Sequence, residues 1–113
     1  MNQNKLTQQI PMRAMAAQLI YQQMKLNDQI VLLVGDLGYK VWDQVRNDFP
    51  KRFFNTGAAE QALMGTAVGL ALGGKIPIVY SITPFLLYRP FETIRNYLNY
   101  EKIPVKLLGS GRD

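Results

Sequence analysis

The sequence predicts an α/β protein in which helices cover both faces of a parallel sheet. Two short runs, at residues 30–34 and 76–80, are apolar throughout, and a third at residues 105–108 is largely so. Runs without polar alternation are typical of strands buried on both faces, which are usually parallel. Segments with helical spacing separate these runs, and such alternation of strand and helix predicts a parallel sheet.

The chain before the first strand predicts a single helix. Residues 1–10 are polar and predict a frayed lead-in, so the domain is assigned to residues 11–113. Pro11 suits the start of a helix that continues to about residue 26. Its inward face is predicted from an i, i+3, i+4, i+7 spacing, which is shared by Met12, Met15, Ala16, Leu19, Ile20 and Gln23.

The rest of the chain predicts further helices and one brief strand. The helices are expected at residues 41–49, 58–72 and 85–100, and the strand at residues 53–54. Gly73 and Gly74 suit the C-terminal cap of the second of these helices, and Pro90 disturbs the third. Ligands of such folds bind beyond the carboxyl ends of the strands. The candidate positions are therefore residues 36–38, 56–57, 81–85 and 109–111.

The composition restricts the classes of function. The 113 residues form one domain or part of one. The chain has neither Cys nor His, which removes thiolate nucleophiles, the commonest metal ligands and the base of a Ser-His-Asp triad. The net charge of +5 comes from scattered Lys and Arg, which favours a solvated surface over nucleic-acid binding. No apolar run suits a signal peptide or a membrane span, so we expect a cytoplasmic protein without a membrane partner.

One acidic residue, Glu60, stands alone among the uncharged residues 55–74. If Gly57 caps the helix, Glu60 takes the third helical position, where the helix dipole and the cap amide favour a carboxylate. The alternative is a functional carboxylic acid in an apolar wall, able to donate a proton to a ligand nitrogen. That wall would consist of Ala58, Ala59, Leu63 and Met64.

Two stripes of residues accompany Glu60. A glycine stripe recurs every fourth residue along the predicted helix, at Gly65, Gly69 and Gly73. It would let another backbone approach closely, within the domain or across a dimer. Phe85, Tyr88 and Phe91 recur every third residue, a spacing more typical of a core face than of a cofactor site. Phe85 nevertheless follows a strand end, where its ring could stack on a planar heterocycle.

Together these residues resemble the pyrimidine-binding domain of transketolase-like, thiamine-diphosphate-dependent enzymes. The strongest block is FPKRFFNTGAAEQALMGTAVGLALGGKIPIVYS followed by TPFL, and VGDLG at residues 34–38 is also similar. The match runs from about residue 12 to about residue 110. The chain is most similar to the separate C-terminal-half chains of split transketolases, and less so to deoxyxylulose-phosphate synthase. The implied fold is the thiamine-diphosphate-binding fold of the pyrimidine type.

The resemblance implies a role for each candidate residue. Glu60 matches the glutamate that hydrogen-bonds a ring nitrogen of the cofactor's aminopyrimidine and so promotes deprotonation of the thiazolium carbon. Phe85 matches the aromatic residue that stacks on the pyrimidine, and Tyr88 another aromatic of the same pocket. Phe91 stands where the family often has Tyr, so the hydroxyl and its hydrogen bond are lost.

The resemblance also implies that this chain is only part of an active site. Asp36 and Leu37 match a segment that borders the thiazolium, but no metal ligand is predicted here, because the family's Gly-Asp-Gly motif is missing. Mg²⁺ and the diphosphate are expected on another domain or on a transketolase N-terminal-half chain, with a homodimer as a further assembly. The chain is also expected to stop before the last strands and the His-containing segment of the family.

Two functions from different classes follow from these residues. The first is the pyrimidine-binding part of an enzyme that transfers a two-carbon ketol unit between sugar phosphates. The alternative is a non-catalytic dimerisation or regulatory module with a decayed cofactor site, which the Phe91 departure and the lack of His suggest. Phosphate or nucleic-acid binding by the positive surface is a weaker third hypothesis.

Overall fold

The sheet of this protein has four strands in the computed structural model, which describes residues 9–36, 38 and 40–111. The strands are β1 (Ile30–Val34), β2 (Phe53–Asn55), β3 (Ile76–Ile82) and β4 (Lys106–Ser110). They lie in the order β2-β1-β3-β4, and every neighbouring pair is parallel. The predicted parallel sheet is confirmed.

Helices cover both faces of this sheet, also as predicted. They are α1 (Met12–Leu26), α2 (Asp43–Asp48), α3 (Glu60–Leu72), α4 (Thr83–Leu87) and α5 (Phe91–Thr93). A 3-10 turn, Pro50–Arg52, precedes β2, and a π-helical segment, Ile94–Tyr100, continues α5. Helices α1 and α2 pack on one face, whereas α3, α4 and the π-helical segment pack on the other. Among the described residues, no helix is both long and apolar enough to cross a bilayer.

The central position of β1 in the sheet explains why its sequence is apolar throughout. All five of its residues are buried, because alternate side chains enter two different cores. Leu32 and Val34 join the core under α1 and α2, whereas Leu33 joins the core under α3. Both cores continue onto β3, where Tyr80 faces the first and Val79 the second.

The inward face of α1 differs from the prediction. Met12 is 88% exposed, and Met15 and Leu19 are also exposed. The side chains buried against the sheet are those of Ala17, Tyr21 and Met24. Of the predicted stripe, Ile20 does pack against this core. The helix therefore carries two apolar stripes, and periodicity alone does not say which one is buried more deeply.

The predicted helix at residues 85–100 is interrupted at Pro90, the residue that was expected to disturb it. Helix α4 ends at Leu87 and α5 begins at Phe91, with Pro90 buried between them. Proline lacks the amide hydrogen that an uninterrupted helix needs, so the chain turns here. Of the predicted lead-in, residues 9 and 10 have no regular structure and are exposed, and residues 1–8 lie outside the described part of the chain.

Polar contacts join α1 to the segment that leads into β2. The Tyr21 hydroxyl donates a hydrogen bond to the Asp48 carboxylate, which raises the pKa of Tyr21 above its ordinary value. The Arg52 guanidinium donates to the Met24 carbonyl at 2.8 Å and to the Asn27 carbonyl at 2.9 Å. These carbonyls belong to the C-terminal end of α1, where the backbone lacks helical partners.

Replacing Arg52 is expected to destabilise the fold. Arg52→Met should lower the free energy of unfolding by about 2 kcal/mol, since two charge-assisted hydrogen bonds are lost. Arg52→Lys keeps the charge but cannot reach both carbonyls with a planar fork, so it should recover only part of the loss. Urea denaturation of the three proteins measures the difference. Equal midpoints for all three would contradict the capping role.

Candidate functional site

The site begins at the turn between β2 and α3, at the carboxyl end of the sheet. Gly57 has a φ of +72°, and the Ala59 amide donates to the Gly57 carbonyl at 2.8 Å. This turn moves the start of α3 to Glu60, with Ala59 as the N-cap. The interpretation of Glu60 as the third residue after a Gly57 cap is therefore wrong. No side chain among the described residues caps this helix.

Glu60 forms an ion pair that the sequence analysis did not predict. Its side chain is only 6% exposed, and Oε1 lies 3.1 Å from Nη1 of Arg89, whose side chain is 51% exposed. A carboxylate this deeply buried is costly unless a charged or hydrogen-bonding group compensates it. Arg89 supplies that compensation from the segment between α4 and α5.

The same guanidinium also covers an aromatic ring. Cζ of Arg89 lies 3.8 Å from the centroid of the Phe85 ring, close enough for a cation–π interaction. Phe85 belongs to α4 and is partly buried. Glu60, Arg89 and Phe85 therefore form a continuous group, in which the flat cation contacts a carboxylate and the face of a ring.

An open cleft lies beside this group. It has a volume of about 610 Å³ and is lined by Ala58, Ala59, Glu60, Gln61, Ala62 and Arg89. Small alanine side chains form one wall of this cleft, and the buried Glu60 borders it beneath Arg89. Leu63 and Met64, which were expected in the same wall, are instead fully buried beneath it in the core.

The aromatic stripe does not form a core face. Tyr88 is 76% exposed and Phe91 is 56% exposed, whereas Phe85 is partly buried. The break at Pro90 separates Phe91 from the other two, so the regular spacing in sequence does not become a regular face in space. The core interpretation is thus wrong for Tyr88 and Phe91. None of the three aromatic residues is among those that line the 610 Å³ cleft, and Phe85 meets it only through Arg89.

The other candidate positions at the strand ends line separate cavities. Asp36 is exposed, has a φ of +57° and borders a cavity of about 180 Å³ next to Trp42 and Asn55. Residues 109–111 border another, of about 430 Å³, next to the start of α1. Asp36 therefore does not share the cleft of Glu60. Leu37 lies outside the described residues.

Asn55 connects these two parts of the strand-end surface. Its Oδ1 accepts hydrogen bonds from the amides of Asp36 and Gly57, both at 2.9 Å. One side chain thus holds the end of β1 against the turn that positions Glu60.

Removing the Asn55 acceptor is expected to loosen this turn. Asn55→Ala should lower the free energy of unfolding by about 1 kcal/mol, because two backbone amides lose an exposed acceptor. Asn55→Asp retains an acceptor oxygen at the same position and serves as the matched control. Thermal unfolding of both variants measures the effect. Equal losses in the two variants would show that the acceptor oxygen is not what matters.

Sequence reasoning missed Arg89 because its signal is weak. Arg89 follows Phe85 by four residues, the spacing at which helical side chains meet. That spacing suggests contact with Phe85 only if the chain stays near helical through Tyr88. It carries no information about Glu60, which lies 29 residues earlier.

The fold and the site together define a class of protein. A parallel α/β sheet with a buried carboxylate and an aromatic ring beside a cleft at its carboxyl edge is a ligand-binding arrangement. The family described as transketolase, pyrimidine binding domain, matches residues 8–111. The chain belongs to this family, whose enzymes depend on thiamine diphosphate.

Individual relatives agree with this assignment. The chain is 40% identical over 87 residues to a protein described as a transketolase C-terminal section from Methanocaldococcus jannaschii, covering 76% of this chain and 28% of that protein. It is 45% identical over 62 residues to one subunit of an apulose-4-phosphate transketolase from Actinobacillus succinogenes, covering 55% of this chain and 20% of the relative.

A solved structure shows the same fold. This structure, a split gene transketolase described as an inactive β4 tetramer, superposes with a TM-score of 0.75 at 40% identity. The comparison covers 85% of this chain and 33% of the other. The chain thus spans no more than about a third of the length of these curated and structural relatives.

Proposed function

We propose that this chain forms the pyrimidine side of a thiamine-diphosphate site in a transketolase-like enzyme. The observation that carries the proposal is the way Glu60 and Phe85 hold a planar, nitrogen-bearing group. They contact the Arg89 guanidinium at 3.1 Å and 3.8 Å. An aminopyrimidine could make the same two interactions: a hydrogen bond between a ring nitrogen and Glu60, and stacking of its ring on Phe85. The residues present therefore fit the cofactor's heterocycle.

The proposed roles follow from burial and position. Glu60 holds or transfers a proton at its carboxylate, facing a ring nitrogen of the ligand, and its low exposure favours a directed hydrogen bond over one to water. Phe85 orients the ring by stacking. The alanines at the start of α3 let the ligand approach closely. When bound, thiamine diphosphate supplies the carbanion-stabilising chemistry that ketol transfer needs.

The remaining predicted residues require a second surface. Asp36, Tyr88 and Phe91 are exposed, so they enclose a cofactor only if another domain or chain covers them. We assign Asp36 and Leu37 to the thiazolium end of the cofactor, and Tyr88 and Phe91 to the pyrimidine end.

A partner is therefore part of the proposal. A transketolase N-terminal-half chain would hold the diphosphate and Mg²⁺, and a second copy of this chain would form a dimer. The outer face of α3 suits such packing, because a Cβ added at Gly65 or Gly69 would meet no described atom within 4 Å. Relatives described as a C-terminal section and as a transketolase subunit support a divided enzyme. Its proposed reaction, in the cytoplasm, is two-carbon ketol transfer between sugar phosphates.

Calorimetry tests this function. Thiamine diphosphate and Mg²⁺ are titrated into the chain alone and into its mixture with a diphosphate-binding N-terminal-half chain. We expect saturable binding in the mixture and much weaker binding by the chain alone. A mixture that forms a stable complex but binds no cofactor would contradict the proposal. It would favour the alternative, a non-catalytic module. The observation that supports this alternative is Phe91, which lacks the hydroxyl of the Tyr that the family often has at this position.

A further inference from the structure

We propose that Arg89 is a built-in competitor for the ligand of this site, and that its guanidinium must leave before an aminopyrimidine binds. The inference rests on the proposed function, because it concerns the same carboxylate and the same ring. It adds a residue that limits affinity and that selects for ligands able to replace a planar cation.

The contacts of Arg89 are the two that an aminopyrimidine would use. Nη1 donates to Oε1 of Glu60 at 3.1 Å, and the guanidinium plane covers the Phe85 ring at 3.8 Å. A separation of 3.8 Å is already van der Waals contact between carbon atoms. No second flat group fits between the ring and the guanidinium, so the two occupants exclude each other.

The chemistry of the two occupants is also similar. A guanidinium presents N–H donors on a planar N–C–N unit, and the amidine edge of an aminopyrimidine presents an amino N–H donor beside a ring nitrogen that donates once it is protonated. A carboxylate recognises such an edge by its hydrogen bonds, and an aromatic face tolerates either group because each is flat. The site therefore favours planar amidine or guanidine groups over compact ammonium groups.

Burial explains why Glu60 needs a substitute partner when no ligand is bound. Removing one partner of a buried ion pair leaves an uncompensated charge, which is strongly destabilising. Glu60 is 6% exposed and faces that cost, whereas the half-exposed side chain of Arg89 faces little of it. Ion pairs with an exposed partner contribute little net stability, so a ligand that satisfies Glu60 displaces Arg89 easily.

The backbone suits a movement of the side chain alone. Pro90 is fully buried directly after Arg89, which anchors the segment between α4 and α5. The long arginine side chain can rotate into solvent while that anchor stays in place. Release of the site then needs no rearrangement of the fold.

Occupancy by Arg89 reduces the apparent affinity for a ligand. If Arg89 is engaged about nine-tenths of the time, its removal should tighten binding about tenfold. The probe is 4-amino-2-methylpyrimidine, titrated into the isotope-labelled 113-residue chain and followed by nuclear magnetic resonance. Arg89→Ala should bind the probe about tenfold more tightly than the unmodified chain. Arg89→Lys, which keeps the charge but loses the plane, should also bind more tightly.

Two further measurements separate competition from other effects. Arg95→Ala is the matched control, because Arg95 is an exposed guanidinium paired with Glu92 and does not line the cleft. It should leave probe affinity unchanged. In the unmodified chain, the Nε–H resonance of Arg89 should move toward that of a free arginine as the probe saturates the site. This readout needs no variant, so it holds even if Arg89→Ala fails to fold.

The outcomes distinguish this inference from the proposed function. Equal probe affinity in Arg89→Ala and the unmodified chain, with an unmoved Arg89 resonance, would overturn the competition while leaving the pyrimidine site intact. An equal gain in probe affinity in Arg95→Ala would show that the loss of one positive charge explains the effect. This result would also overturn the inference that Arg89 competes with the ligand. Lack of probe binding in every protein, including Arg89→Lys, both alone and with the diphosphate-binding N-terminal-half chain present, would overturn the pyrimidine site and the inference together.

Discussion

Replacing Glu60 by glutamine in the proposed complex with an N-terminal-half chain is expected to lower kcat for the proposed ketol transfer by about 10²–10⁴-fold, the usual contribution of a positioned acid or base. Glutamine has nearly the same shape but neither gives nor takes a proton at a ligand nitrogen. The fold should survive, because the substitution removes a buried charge without leaving a cavity. Steady-state kinetics with a sugar-phosphate donor and acceptor measure the loss.

The control for this prediction is Glu92→Gln. Glu92 is an exposed acid whose carboxylate pairs with Arg95, and this pairing holds the pKa of Glu92 below its ordinary value. Its replacement should leave kcat unchanged, since Glu92 does not line the cleft. Full activity of Glu60→Gln would show that the carboxylate has only a structural role beside Arg89.

Replacing Trp42 by alanine is expected to lower the free energy of unfolding by about 3–5 kcal/mol, the usual cost of emptying a large buried site. The side chain is 1% exposed and meets the Tyr80 ring edge-on, with centroids 5.1 Å apart. Domains of this size are stable by about 5–15 kcal/mol in total, so the loss would be a large part of the whole. Chemical denaturation of the purified chain measures it.

Trp42→Phe is the matched variant for this core. Among the described residues, the buried indole N–H has no hydrogen-bond partner, so a phenyl ring loses little polar interaction while keeping contact with Tyr80. We expect a clearly smaller loss than for alanine. Trp42 also packs beneath Gly38, where an added Cβ would lie 2.3 Å from the indole. A loss in Trp42→Phe as large as in Trp42→Ala would indicate that the indole itself, and not its volume, supports this loop.

The strands could be predicted from short stretches of sequence because each strand is itself a run of mainly apolar residues. The residues of β1 are apolar throughout since both of its faces are covered, and no partner has to be known to read this. Local pattern was insufficient for α1, whose Met12 and Leu19 are as apolar as the buried Met24. Choosing between the two stripes requires the position of the sheet.

The two ends of α3 also differ in how well the sequence predicted them. Gly73 and Gly74 end α3 as expected, with Gly74 at a φ of +90°, because glycine adopts that conformation without steric cost. The start of α3 was misplaced by two residues, because Gly57 belongs to a turn whose shape depends on the acceptor oxygen of Asn55. That acceptor also contacts the end of β1, a long-range relation invisible in the local sequence.

By itself, the sequence determined the strands, the order of strand and helix, and the presence of Glu60 near the start of a helix rich in Gly and Ala. It also carried the resemblance to the transketolase pyrimidine-binding domain. Only the tertiary structure decided which groups Glu60 meets. Its partner Arg89 lies 29 residues away in the segment between α4 and α5, and the ring that Arg89 covers belongs to α4. Such contacts depend on how α3 and α4 pack on a common face of the sheet, which periodicity along one segment does not encode.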